Sequence, residues 1–119
     1  MPYRSDNHVP EYMKAIAVDG TSTAIGPTEY LSGATAVTVQ VICSEGSAGQ
    51  VYVDGTNQTG KKPAWMMLTS NPVSNNGVTY VSYNANDALT NMHAMRVRFV
   101  SSSAGKLTVA LNMRMTSAL

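Results

Sequence analysis

Residues 95–113 restrict the possible folds more than any other stretch. Met95, Val97 and Phe99 alternate with Arg96 and Arg98. After Ser101, Ser102, Ser103, Ala104 and Gly105, the residues Leu107, Val109, Leu111 and Met113 alternate with Thr108, Ala110, Asn112 and Arg114. Successive side chains of a strand point to opposite faces, so the odd-numbered residues form one apolar face. The serine, alanine and glycine run supplies a turn. The expectation is a β-hairpin with Phe99 opposite Leu107 and Val97 opposite Val109, and a core built on Val97, Phe99, Val109 and Leu111.

The same pattern occurs earlier in the chain. A shift of 56 positions lays Val41 on Val97, Cys43 on Phe99, Ser47-Ala48-Gly49 on Ser103-Ala104-Gly105, Val51 on Leu107 and Val53 on Val109. Two copies do not make a solenoid, which needs three or more stacked units. They fit a sandwich in which two similar hairpins bury matching apolar faces against each other. Hydrophobic alternation around a Ser/Gly turn is also generic enough to arise twice without any relation between the copies.

The remaining chain reads as short strands separated by turn residues. Residues 1–11 contain two prolines and no sustained period and are expected to form an extended N-terminal arm; residues 12–119 are expected to form a single β-sandwich domain. Tyr12, Lys14, Ile16 and Val18 alternate up to a turn at Asp19-Gly20, and Gly26-Pro27 breaks a short edge strand. Val37, Val39, Val41 and Cys43 point inward on a strong strand that returns through Val51 and Val53 to a turn at Asp54-Gly55. A polar loop carrying Lys61 and Lys62 follows, then a strand opening with Trp65, which is read as a core plug, and another turn around Asn71-Pro72 and Asn75-Asn76-Gly77. Val78 and Tyr80 lie on one face of the next strand and Val81 and Tyr83 on the other; Asp87-Ala88-Leu89 is read as one helical turn. Seven or eight short strands at this spacing predict an all-β, jelly-roll-like antiparallel β-sandwich.

Composition argues against several classes of function. A net charge of +1 with 13% charged residues gives no diffuse basic field, so neither nucleic acid nor an anionic membrane is expected as a partner. His8 and His93 stand apart from the single cysteine, Cys43, and the isolated acids Asp19, Asp54 and Asp87 make no ligand run, so no metal or cofactor is expected. No GxSxG elbow or other nucleophile context is present, and the chain is read as a non-enzyme without a small-molecule substrate. The N-terminus lacks the apolar core of a secretory signal, which predicts synthesis in a cytoplasm. Eight methionines and an apolar fraction of 44%, with apolar residues on both faces of the Val78 strand, predict a homo-oligomer, with a trimer favoured.

Arg96, Arg98 and Arg114 would all lie on the outward face of the last hairpin, with Lys106 at its turn. Such a row is either a solvated face with scattered carboxylates or a docking face for an acidic protein surface, since the planar guanidinium holds a carboxylate with two hydrogen bonds. The contact residues expected on the second reading are Tyr3, Arg4, Val9 and Tyr12 of the arm, Lys61 and Lys62 of the loop, and Arg96, Arg98 and Arg114.

Between residues 36 and 113 the order of features resembles small virion proteins of tailed bacteriophages. It runs from a Val-rich strand through "GQVYVDGTN" and a later tryptophan to "AMRVRFVSSSAGKLTVAL". The resemblance implies a jelly-roll or sandwich fold and a place in the virion, as a decoration or cement subunit on the major capsid protein, often trimeric. The second reading is a tail or receptor-recognition module that binds carbohydrate, which would need Trp65 or several of Tyr52, Tyr80 and Tyr83 around a groove.

Overall fold

The computed structural model describes residues 3–31 and 34–117, and the side chains of residues 11–31 and 34–114. The alternating segments become strands: β1 (Tyr3–Val18), β2 (Thr23–Ile25), β3 (Glu29–Tyr30), β4 (Ala34–Ser44), β5 (Ala48–Thr56), β6 (Met66–Val73), β7 (Val78–Tyr83), β8 (Ala94–Ser103) and β9 (Gly105–Ser117). A 3-10 turn, Leu89–Asn91, joins β7 to β8. Two antiparallel sheets result. Sheet A has the order β1-β9-β4-β7, and sheet B has the order β2-β8-β5-β6, with β3 also paired to β8. Taken with β2 and β3 as one interrupted strand, the ladders β1·β9, β2·β8, β4·β7 and β5·β6 are those of a long ribbon folded double. Rolling that ribbon adds β4·β9 and β5·β8, which completes a jelly-roll-like sandwich.

The expected hairpin is not formed. β8 lies in sheet B and β9 in sheet A, so Phe99 and Leu107 belong to different sheets instead of sharing a ladder. The 95–113 stretch is an arch, and its apolar face is buried because both strands turn it toward the space between the sheets. Residues 41–53 form a second arch, β4 to β5, split between the sheets in the same way. The two arches bond to one another. Val41 pairs with Val109, and the 56-residue shift turns that pair into Val97 with Val53; Cys43 with Leu107 becomes Phe99 with Val51, and Val39 with Leu111 becomes Met95 with Gly55. The sequence repeat is therefore an approximate internal twofold that places the four central strands.

Val97, Phe99 and Val109 are fully buried and Leu111 nearly so, along with Val37, Val39, Val41, Cys43, Val51 and Val53. Burial of one such side chain is worth about 1.5–3 kcal/mol. The arch turns are pinned side by side. Ser47 Oγ donates to Lys106 O at 2.6 Å and Ser103 Oγ to Gly46 O at 2.8 Å. A Cβ on Gly105 would stand 2.6 Å from Ser44 O, so this crossing point needs glycine.

β1 crosses the expected arm boundary without a break. It pairs with β9 from Tyr3 opposite Ser117 to Val18 opposite Gly105, and the boundary between residues 11 and 12 falls at a register shift between Val9 and Met13. A second shift between Met13 and Ile16 contains Ala15, at φ 43°. These bulges displace the simple alternation, so that adjacent Tyr12 and Met13 are both buried. The Tyr12 ring reaches the gap between β2 and β3 where Pro27 interrupts pairing. Its hydroxyl donates to Pro27 O and accepts from Val97 N at 3.1 Å. A Cβ on Gly26 would collide with the Tyr12 ring, which gives Gly26 a packing reason as well as a turn reason.

Three local readings are corrected. Asp54-Gly55 is not a turn, because β5 runs through it and Gly55 pairs with Met95. Gly55 leaves room for Met92 Sδ, Leu68 and Leu89 on its inner side. Asn71-Pro72 lies inside β6, where an edge strand tolerates proline, and the turn itself occupies residues 74–77. Trp65 is no core plug. It precedes β6, half-buried, on the outer face of sheet B.

Candidate functional site

The outer face of sheet B carries a cluster of charged and aromatic side chains around one buried carboxylate. Asp54 on β5 lies opposite Arg96 on β8 and diagonal to Arg98, while Tyr52 lies opposite Arg98. The Asp54 side chain is only 2% exposed. Its Oδ2 accepts from Arg96 Nε at 2.9 Å and from Arg98 Nε at 2.6 Å, and its Oδ1 accepts from Arg98 Nη2 at 3.1 Å. Each guanidinium also covers an aromatic ring: Arg96 over Trp65 at 4.6 Å and Arg98 over Tyr52 at 4.5 Å from the centroid. The Asp54 hydrogen bonds push the Arg98 guanidinium above its ordinary pKa. Two arginines share one carboxylate, so the cluster keeps one net positive charge.

Beside this cluster a groove of about 330 Å³ opens between the β2–β3 segment and the loop of residues 57–65. Small Ala94, flanked by Tyr30 on β3 and Thr56 on β5, forms its floor. Tyr30, Pro27 and Ile25 stand on one wall, and Gln58, Lys61 and Trp65 on the other, with His93 and Arg96 also in the lining. The His93 ring meets the Tyr30 ring edge to face, with centroids 5.3 Å apart. Gln58 Oε1 accepts from Ala64 N at 2.6 Å, which folds the loop back on itself, and the Gln58 N–H donates to Thr56 Oγ1 at 3.1 Å.

The structure divides the expected contact residues. Arg96 and Arg98 lie on sheet B and Arg114 on sheet A, so the three do not share a face. Arg96 and Arg98, about a quarter exposed or less, are both held by Asp54, Arg96 through Nε alone. Tyr12 is withdrawn as a surface contact, because it is 5% exposed and burial pushes its phenol up to about 12. Lys61 and Lys62 are exposed on the groove loop, and Lys61 lines the groove itself. Tyr3, Arg4 and Val9 belong to β1, and their side chains lie outside the described residues.

Sequence reasoning missed Asp54, Tyr30 and His93 as members of one face. Asp54 looked like a turn residue because glycine follows it, and a Tyr30–Ala94 pairing between distant strands leaves no local signal. The apolar residues expected on both faces of β7 are there: Val81 and Tyr83 point inward, while Val78 and Tyr80 are 61% and 68% exposed. Met66 and Met67 are also exposed, on edge strand β6.

By sequence, the chain matches no family model and no curated protein. By structure it is similar to the SPBc2 prophage-derived protein YomS, with a TM-score of 0.62 and 14% identity over 96% of this chain and 95% of that one. The PBSX exported protein XepA gives a TM-score of 0.66 at 9% identity; 97% of this chain is covered, and it spans only 38% of XepA. The coat protein of Tobacco streak virus gives 0.55 at 9% identity over 98% of this chain and 86% of that one. At such identities the likeness is one of fold, and it agrees with the jelly-roll-like sandwich of phage and viral proteins that the sequence resembles.

Proposed function

We propose that this chain is a structural subunit of a phage virion, which binds the outer surface of the capsid as a trimer and stabilises it. The observation that carries this reading is the pair of exposed apolar edges. β6 and β7 each end a sheet, and they present Met66, Met67, Val78 and Tyr80 to solvent in a chain with few charges. Unpaired edges with apolar side chains are a liability unless another subunit covers them. Many distributed contacts of this kind suit a protein that must bind capsomers already folded. On this reading β1, with Tyr3, Arg4 and Val9, reaches a neighbouring capsid protein, and Arg114 and Lys62 orient the subunit against acidic residues. The fold relatives, a coat protein and a prophage protein among them, support the reading.

The test adds purified protein to capsids that lack it and measures occupancy and resistance to heat. Wild-type protein should bind and raise the temperature of capsid disruption. Deletion of residues 2–11, or Tyr80→Asp, should lower occupancy at least about tenfold. Equal occupancy for both variants, or recovery of the protein from tails alone, would refute the assignment.

A further inference from the structure

We propose that the groove on the outer face of sheet B binds an anionic sugar unit, one carrying a carboxylate or a phosphate. The inference is independent of where the subunit sits in a particle, because it rests on the groove alone.

Charge comes first. Lys61 and Arg96 line the groove, and no aspartate or glutamate lines it with them. The carboxylate of Asp54 behind Arg96 is shared with Arg98, which leaves one positive charge uncompensated in the cluster. Asp54 engages Arg96 through Nε alone, so both terminal nitrogens of that guanidinium remain to donate to a ligand. A forked donor held over the Trp65 ring is suited to a carboxylate or phosphate.

The rest of the lining suits a polyhydroxylated ring. Tyr30 is 63% exposed and lines the groove, and the contact with the His93 ring restrains its orientation. An aromatic face offers a surface to the C–H side of a pyranose. Around it stand neutral donors and acceptors, namely Thr28, Thr56, Gln58 and Thr59. Gln58 uses its carbonyl on Ala64 N, so its amide nitrogen is left to donate. The volume of about 330 Å³ lies at the small end of ligand sites.

A peptide strand is disfavoured here. β8 at the groove floor is bonded to β5 on one side and to β2 and β3 on the other, so no free ladder is available. Nucleic acid would need a longer basic stripe than one lysine and a half-neutralised arginine pair.

Titration calorimetry on the intact chain tests the site with four probes: trigalacturonate, neutral maltotriose, glucose 6-phosphate and hexaglutamate. At least one of the two anionic sugar probes should bind, about tenfold or more tighter than maltotriose, and added salt should weaken it. The better of these two probes identifies the anion as carboxylate or phosphate. Tyr30→Ala should weaken binding about tenfold or more and Lys61→Gln about threefold. Both side chains are exposed, so both variants should melt with the wild type. Absence of binding by trigalacturonate and glucose 6-phosphate, retention of binding in Tyr30→Ala, or equal affinity for hexaglutamate would overturn the proposal.

Discussion

Asp54 is the residue on which the outer face of sheet B depends. Removing one partner of a buried ion pair leaves the other charge without compensation, whereas a pair that keeps a second partner loses less. Asp54→Ala should therefore cost about 2–4 kcal/mol of stability, and Arg96→Gln clearly less, since Arg98 still holds Asp54 through two bonds. Urea midpoints of the two variants check the order. Tyr12 gives a second residue-scale expectation. Its phenol ionises near pH 12 in the folded chain because burial disfavours the charged form, against about 10 when unfolded. The unfolded chain thus releases this proton first. Stability from the neutral phenol is complete below pH 10 and is lost between pH 10 and 12, about 2–3 kcal/mol in all. Tyr12→Phe should start less stable at neutral pH, with Val97 N–H left unpaired, and should lose less between pH 10 and 12 in thermal melts. Neither role was legible in the sequence. Asp54 depends on pairing with a strand more than forty positions away, and Tyr12 depends on a bulge that no alternation encodes.

At the scale of elements, alternation placed the inward faces of β4, β5, β8 and β9 correctly but left the bonding partners open. The pattern around Ser103 demands only that odd residues on both sides of the turn share a core. A hairpin and an arch both satisfy that demand, and they differ in whether the two strands bond to each other. β8 finds β5 and β9 finds β4, so the turn at residues 103–105 joins two sheets. A peptide of residues 94–113 should accordingly stay unstructured in water, with no cross-strand contact between Phe99 and Leu107 by NMR. A persistent hairpin in that peptide would mean that the local pairing competes with the arch. The groove was legible only in part. The lysine-bearing loop and Trp65 stood out, but Tyr30 and His93 reach it through the short β3 pairing, which a proline-broken segment gives no reason to expect.

At the scale of the molecule, the ladders have a property that follows from rolling a doubled ribbon. A cut between Lys61 and Lys62 separates β1–β5 from β6–β9. Every strand pairing among the described residues, from β1·β9 to β5·β6, joins one piece to the other. Neither piece contains two strands that bond to each other, so neither can satisfy its backbone groups or bury Val41 or Val97 alone. Contacts so distant in sequence also imply slow, all-or-none folding, on the order of milliseconds to seconds. The bond between Lys61 and Lys62 lies in an exposed loop, and Pro63 shields the next one from trypsin. Limited trypsin digestion should therefore nick the folded protein at this point while the pieces stay together. Separated in urea, each piece should lack strand structure by circular dichroism. Mixed in equal amounts without urea, they should recover the sandwich and its cooperative melt, at a midpoint that rises with concentration because the transition has become bimolecular. A single piece that folds by itself would show that the ladders between the halves are not what holds the fold together.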